Sequence, residues 1–148
     1  MLILLPVDGS ELALDAVHHV LRLRDEGLAV QVLLANVQEA PHLYEVVLAP
    51  DPALLDEASE RAGRHALAAA QDLLQQADVE VEVEVAHGDP ARVLAELAER
   101  HGCDAIVMAA GEPGALSPGR VGPVALAVLH HAAVPVTIVH HAEADESD

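Results

Sequence analysis

Apolar positions fall into short unbroken runs separated by longer segments with helical spacing. Leu2-Ile-Leu-Leu-Pro-Val7 is continuous and stops at Asp8-Gly9-Ser10, the pattern of a strand buried on both faces followed by a turn. Ser10 is a good helix N-cap. Ala13, Leu14, Val17, Val20 and Leu21 then follow at helical intervals, and Gly27 ends that helix. Val30 to Val37 predicts a second buried strand, and Pro41 to Pro50 a loop. Asp51-Pro52 opens the next helix, with Pro at its first position. Leu55, Ala58, Ala62, Ala66, Ala69, Leu73 and Ala77 form its predicted apolar stripe.

The next segment changes period. Val79, Val81, Val83 and Val85 alternate with Glu80, Glu82 and Glu84, which predicts a strand with one wet face. Charges on such a strand suit a sheet edge, where they discourage pairing with other chains. Gly88-Asp89-Pro90 starts a third helix, which carries Val93, Leu94, Leu97 and Ala98 and ends at Gly102. Asp104 precedes Ala105 to Ala110, again apolar throughout. Gly111 to Gly122 is a Gly/Pro-rich loop, Pro123 to Ala132 a short apolar helix, and Val134 to Val139 the last strand. The domain is set at residues 1–141, and residues 142–148 read as an acidic, flexible tail. The alternation β-α-β-α-β-α-β-α-β predicts a doubly wound α/β fold: a five-stranded parallel sheet with helices on both faces. Ligands in such sheets bind at the carboxyl ends of the strands, at the switch point. Here that is the turn after the first strand and the loop after the fourth.

Composition narrows the function. The 148 residues include 25 Asp and Glu against 7 basic residues, all Arg, for a net charge of −18. Without Lys there is no P-loop, no Schiff-base enzyme and no phospho-receiver site. Tyr44 is the sole aromatic besides His, so bases find almost nothing to stack on, and the charge repels a phosphate backbone. No nucleic acid partner is expected. No apolar run approaches the ~18 residues of a membrane span, and Met1 to Val7 lacks the positive start of a signal peptide. Cys103 is alone. A cytoplasmic protein without a membrane partner is expected.

The chemistry-bearing residues are few. Ser10, Ser59, Ser117 and Ser147 show no nucleophile elbow, and Ser10 is better explained as a cap. His18-His19, His130-His131 and His140-His141 are adjacent pairs. Neighbours point about 100° apart in a helix and to opposite faces in a strand, so they chelate poorly within one chain. His140-His141 beside a dimer axis would be the exception, as a metal trap or pH sensor. No metal site and no catalytic residue are expected, and the protein reads as a non-enzyme.

Three pieces in order resemble the universal stress protein family: Ile3-Leu-Leu-Pro-Val-Asp8-Gly-Ser10, Gly88-Asp89-Pro90, and Asp104-Ala-Ile-Val-Met108 with its loop, helix and Val134-Pro-Val136 strand. The similarity runs from about residue 2 to residue 140. It implies strand order 3-2-1-4-5, with the Glu-alternating strand at an edge, and a homodimer formed through the fifth strand. It also implies a stress-response or signalling role exerted through other proteins or a small-molecule ligand.

Some members of that family bind ATP and others do not. The resemblance puts Pro6, Val7 and Asp8, then Val37, then Met108 and Ala109, and finally Gly122 and Val124 around the nucleotide. Asp8 falls where binders contact adenosine, and the competing reading is that it braces the turn into the helix. Val37 would line the adenine side, or simply belong to the core. Binders carry Gly-x2-Gly-x9-Gly-Ser/Thr directly after the Met that ends the fourth strand. Here the first Gly is Ala109, the second is Glu112, the third is kept as Gly122, and the hydroxyl position is Pro123. Gly111-Glu-Pro-Gly114 imitates the motif two residues out of register.

Gly lets a backbone approach phosphate closely, a helix N-terminus offers free N–H groups, and Ser or Thr adds a hydroxyl. Pro123 supplies neither hydroxyl nor N–H, and Glu112 adds a like charge. Two lost donors at about 1–3 kcal/mol each cost roughly 2–6 kcal/mol. That is enough to turn micromolar binding into millimolar or weaker, at ~1.4 kcal/mol per tenfold. A divalent cation between Glu112 and phosphate would restore part of it, and Arg120 either meets an anion or is solvated surface. No resident cofactor is therefore expected. The alternative is a regulatory switch that holds ATP or AMP with a divalent cation.

Overall fold

The computed structural model describes residues 1–39, 52–111 and 121–141. The Pro41–Pro50 loop with Tyr44, the Asp51 cap, Glu112, Gly114, Arg120 and the 142–148 tail lie outside the described residues, as does the packing of Leu55.

The elements follow the predicted order: β1 (Leu2–Pro6), α1 (Ala13–Asp25), β2 (Gln31–Gln38), α2 (Pro52–Gln76), β3 (Glu80–His87), α3 (Pro90–Arg100), β4 (Ala105–Ala109), α4 (Pro123–His131) and β5 (Val136–Val139). The five strands form one sheet in the order β3-β2-β1-β4-β5, and every pairing is parallel. This is the doubly wound α/β fold read from the sequence. The fifth strand starts two residues later than its apolar run: the Pro135 carbonyl accepts the Ile106 amide at 2.9 Å, but Pro135 has no N–H of its own to pair.

Side-chain alternation along β1 builds two cores. Ile3, Leu5 and Val7 pack with Ala16, Val17, Val20, Leu67 and Leu74 from α1 and α2. Leu4 faces the other way, onto Leu33, Ile106 and Met108, with Leu94 and Leu97 of α3 and Val128 of α4 above them. A strand with no wet face must be apolar at every position, and β1 is. The N-termini of β1 and β4 are locked together. The Leu2 amide donates to Asp104 Oδ2 at 2.8 Å, and the Asp104 amide donates to the Leu2 carbonyl at 2.8 Å. Cys103 is buried beside this lock. Burial, and secondarily the Asp104 charge, push its thiol pKa up, so it remains a small apolar filler at neutral pH.

β3 takes an edge, with Glu80 and Glu82 exposed. Glu84 is paired instead, accepting from Arg100 at 2.9 Å beside His101.

Two expectations need correcting. The α2 stripe is partly out of phase: Leu73 and Ala77 pack at the margin of the core, but Ala58, Ala62 and Ala69 are exposed, whereas Gly63, Leu67, Ala70 and Leu74 are buried. The run from Ala66 to Ala70 is apolar on every side, so spacing alone does not select a face. The two Leu side chains do, because they have the most area to remove from water. The start of α1 also differs. Residues 11 and 12 form a turn, and regular helix begins only at Ala13. Leu12 stands at the N-cap without a side-chain bond, while Ser10 Oγ reaches the Ala13 amide at 3.3 Å. Ser10 therefore caps the entry turn rather than an immediate helix start.

Candidate functional site

The chain reverses direction of travel across the sheet between β1 and β4. β2 is added on one side of β1 and β4 on the other, so the loops leaving their carboxyl ends diverge and leave a cleft. A cavity of 380 Å³ fills it, within the size range of small-molecule sites. It is lined by the ends of β1, β2 and β4, the start of α4, and Pro90 and Leu94 of α3.

All eight residues singled out in the sequence line this one cavity: Pro6, Val7, Asp8, Val37, Met108, Ala109, Gly122 and Val124. They come from four segments, the ends of β1, β2 and β4 and the start of α4, and the parallel register delivers them to one end. The walls are largely aliphatic, from Val37, Leu94, Met108 and Val124.

The turn after β1 is held by Asp8. Its Oδ1 accepts from the Ser10 amide at 2.9 Å and from Ser10 Oγ at 2.6 Å. This is an Asx turn, and Gly9 within it has φ +91°, a conformation that glycine adopts without strain. Asp8 thus braces the turn, the structural role weighed for it, while also lining the cavity. Ser10 Oγ donates to Asp8 and meets the Ala13 amide, so its hydroxyl is held within the turn, with no His beside it among the described hydrogen bonds.

The α4 end of the cavity has the geometry that matters for anions. Gly122 is the N-cap residue and Pro123 the first helical residue, with no side-chain cap. The Gly122 amide is already spent: it donates to the Ala110 carbonyl at 2.7 Å. The Ala110 amide in turn donates to the Val139 carbonyl at 2.9 Å. Pro123 has no N–H to offer. Gly111, placed out of register by the sequence comparison, also lines the cavity, with φ +76°.

Two polar lining residues escaped the sequence reading. Asn36 is buried, and its Nδ2 donates to the Val7 carbonyl at 2.9 Å. Gln38 Nε2 in turn donates to Asn36 Oδ1. The chain ties the ends of β1 and β2 together under the cavity. The signal was present: Asn36 interrupts an otherwise apolar run, and a polar side chain in a buried strand needs a bonded partner. Glu39, the residue after β2, also faces the cavity; it lies beyond the apolar pattern and had no motif to mark it.

Among the described residues, no group of three or more His, Cys, Asp or Glu could hold a metal ion. His141 Nδ1 lies 2.7 Å from Asp15 Oδ2 on α1, an exposed pair away from the cavity lining. No described helix is long and apolar enough to cross a membrane.

Comparison with known proteins agrees with this architecture. A universal stress protein of Methanocaldococcus jannaschii is 27% identical over 137 residues, covering 93% of this chain and 80% of that protein. Among solved structures, a hypothetical protein whose biochemical function was assigned from its structure superposes with a TM-score of 0.79 at 24% identity, over 97% of each chain. A universal stress protein family protein from Arabidopsis thaliana with AMP bound superposes at 0.69 and 21% identity, over 100% of this chain and 95% of that one. The universal stress protein family model itself matches residues 1–140. With that match spanning most of the chain, and the elements of the described residues in the expected order around a cleft at the switch point, the chain belongs to the universal stress protein family.

Proposed function

We propose that this family member is a homodimeric stress-response or signalling protein whose cleft is a degenerate adenine-nucleotide site with weak or absent ATP binding. The observation that carries the reading is the Gly122–Pro123 junction. At the helix start where a polyphosphate tail would lie, one amide is spent on Ala110 and the next residue is an imino acid. The apolar walls and the Asp8 end remain suited to a nucleoside, and the Arabidopsis relative's AMP supports the ligand class. With the Ser10 hydroxyl committed to the turn, the cleft has the makings of a binding site rather than a catalytic one.

Dimerisation through β5 rests on the contrast between the two sheet edges. β3 carries exposed Glu80 and Glu82, whereas β5 reads Val-Thr-Ile-Val with no charge. Uncharged edges invite strand addition, and charged ones discourage it. Leu126 and Leu129 on the preceding helix are 43% and 44% exposed.

Titration calorimetry with ATP and with AMP, each with and without magnesium, tests the nucleotide reading. Millimolar or weaker ATP binding is expected under both conditions. A submillimolar ATP affinity without magnesium contradicts a degenerate phosphate end. With magnesium alone, it favours the second reading, a nucleotide switch that uses a bridging cation.

A further inference from the structure

The charge inside the cleft selects among adenine ligands. We propose that it takes an uncharged nucleoside, anchored through its hydroxyls on Asp8 and Glu39, and discriminates against the phosphorylated forms. The proposal rests on the reading of the cleft as an adenine-nucleotide-type site.

Asp8 and Glu39 are the only ionisable side chains among the described residues that line the cavity. They come from the ends of neighbouring strands β1 and β2, and both are exposed to solvent. An ionised carboxylate only accepts hydrogen bonds. Asp8 Oδ1 is committed to Ser10; the remaining acceptor capacity of the pair calls for a ligand that brings donors. Ribose hydroxyls are such donors, and a phosphate is not. An anion entering this cleft meets two like charges, on a chain of net charge −18. The groups that ordinarily offset such repulsion are curtailed, since the Gly122 amide is bonded to Ala110 and Pro123 has none. The remainder of the surface, from Val37, Leu94, Met108 and Val124, suits the apolar faces of a base.

The test compares adenosine, AMP and ATP by calorimetry, without divalent cations, at low and high NaCl. Adenosine is expected to bind at least tenfold more tightly than ATP, with AMP between them. Raising the salt should narrow the gap between adenosine and AMP, because screening weakens repulsion. Glu39→Gln should shrink the preference for adenosine over AMP several-fold, because it removes a like charge from the phosphate and a charged acceptor from the ribose hydroxyls. ATP or AMP binding more tightly than adenosine, or weakening relative to it with salt, overturns the proposal and leaves the cleft a nucleotide site. If none of the three binds, the nucleotide-type reading itself fails, and the proposal with it.

Discussion

On the proposed reading, a single side chain limits what the cleft can hold at its α4 end. Pro123 begins a helix well because its fixed φ suits the first position and its missing N–H is not needed inside the helix. The same feature removes a donor from an anion site. Pro123→Ser would return an N–H and a hydroxyl, and ATP affinity should rise about tenfold or more, given about 1–3 kcal/mol per donor. Unchanged ATP affinity in that variant would mean the junction does not limit binding. Gly63 is a second such position, for packing. A Cβ there would stand 2.5 Å from Val85 Cγ1 and 3.0 Å from Asn36 Oδ1. Gly to Ala inside a helix ordinarily stabilises by up to about 1 kcal/mol. Here the stiff Val85 and the bonded Asn36 oppose it, so Gly63→Ala should instead destabilise by about 1–3 kcal/mol in urea unfolding. A midpoint shifted to higher urea would show that the helix can move aside. Gly63 was not legible as special, because its role depends on what another element brings near it; Asn36 stood out as polar in an apolar run, but its partner did not.

At the scale of elements, alternation was legible wherever the period was unambiguous. β3 showed its edge position through Glu80 and Glu82, and α3 its start through Asp89, whose Oδ2 accepts from the Arg92 amide at 3.2 Å. α2 was legible as a helix but not in its orientation, since alanines surround it on every side. β5 is short, and no local pattern says what pairs beyond the sheet edge. If β5 pairs with its copy, Thr137, exposed at the strand centre, faces like residues across the junction. Thr137→Glu should then convert the dimer to a species of 15.5 kDa in sedimentation, by setting like charges across paired strands. A wild-type protein that already sediments at 15.5 kDa would remove the dimer from the account.

The molecule as a whole is a strongly acidic shell around two aliphatic cores, with its cleft at the end of the sheet where the winding reverses. Fold and cleft position were legible together, because a parallel doubly wound sheet fixes where its strand ends converge. The features behind the proposed charge preference were only half legible: Pro123 could be read, but Glu39 and the spent Gly122 amide emerge only once β2, β4 and α4 share a wall. The central claim is that this wall cannot wrap a polyphosphate. A crystal structure of the purified protein grown with ATP and magnesium tests it most directly. The account predicts no ordered triphosphate against the start of α4. Three linked phosphoryl groups resolved beside Gly122 would contradict it.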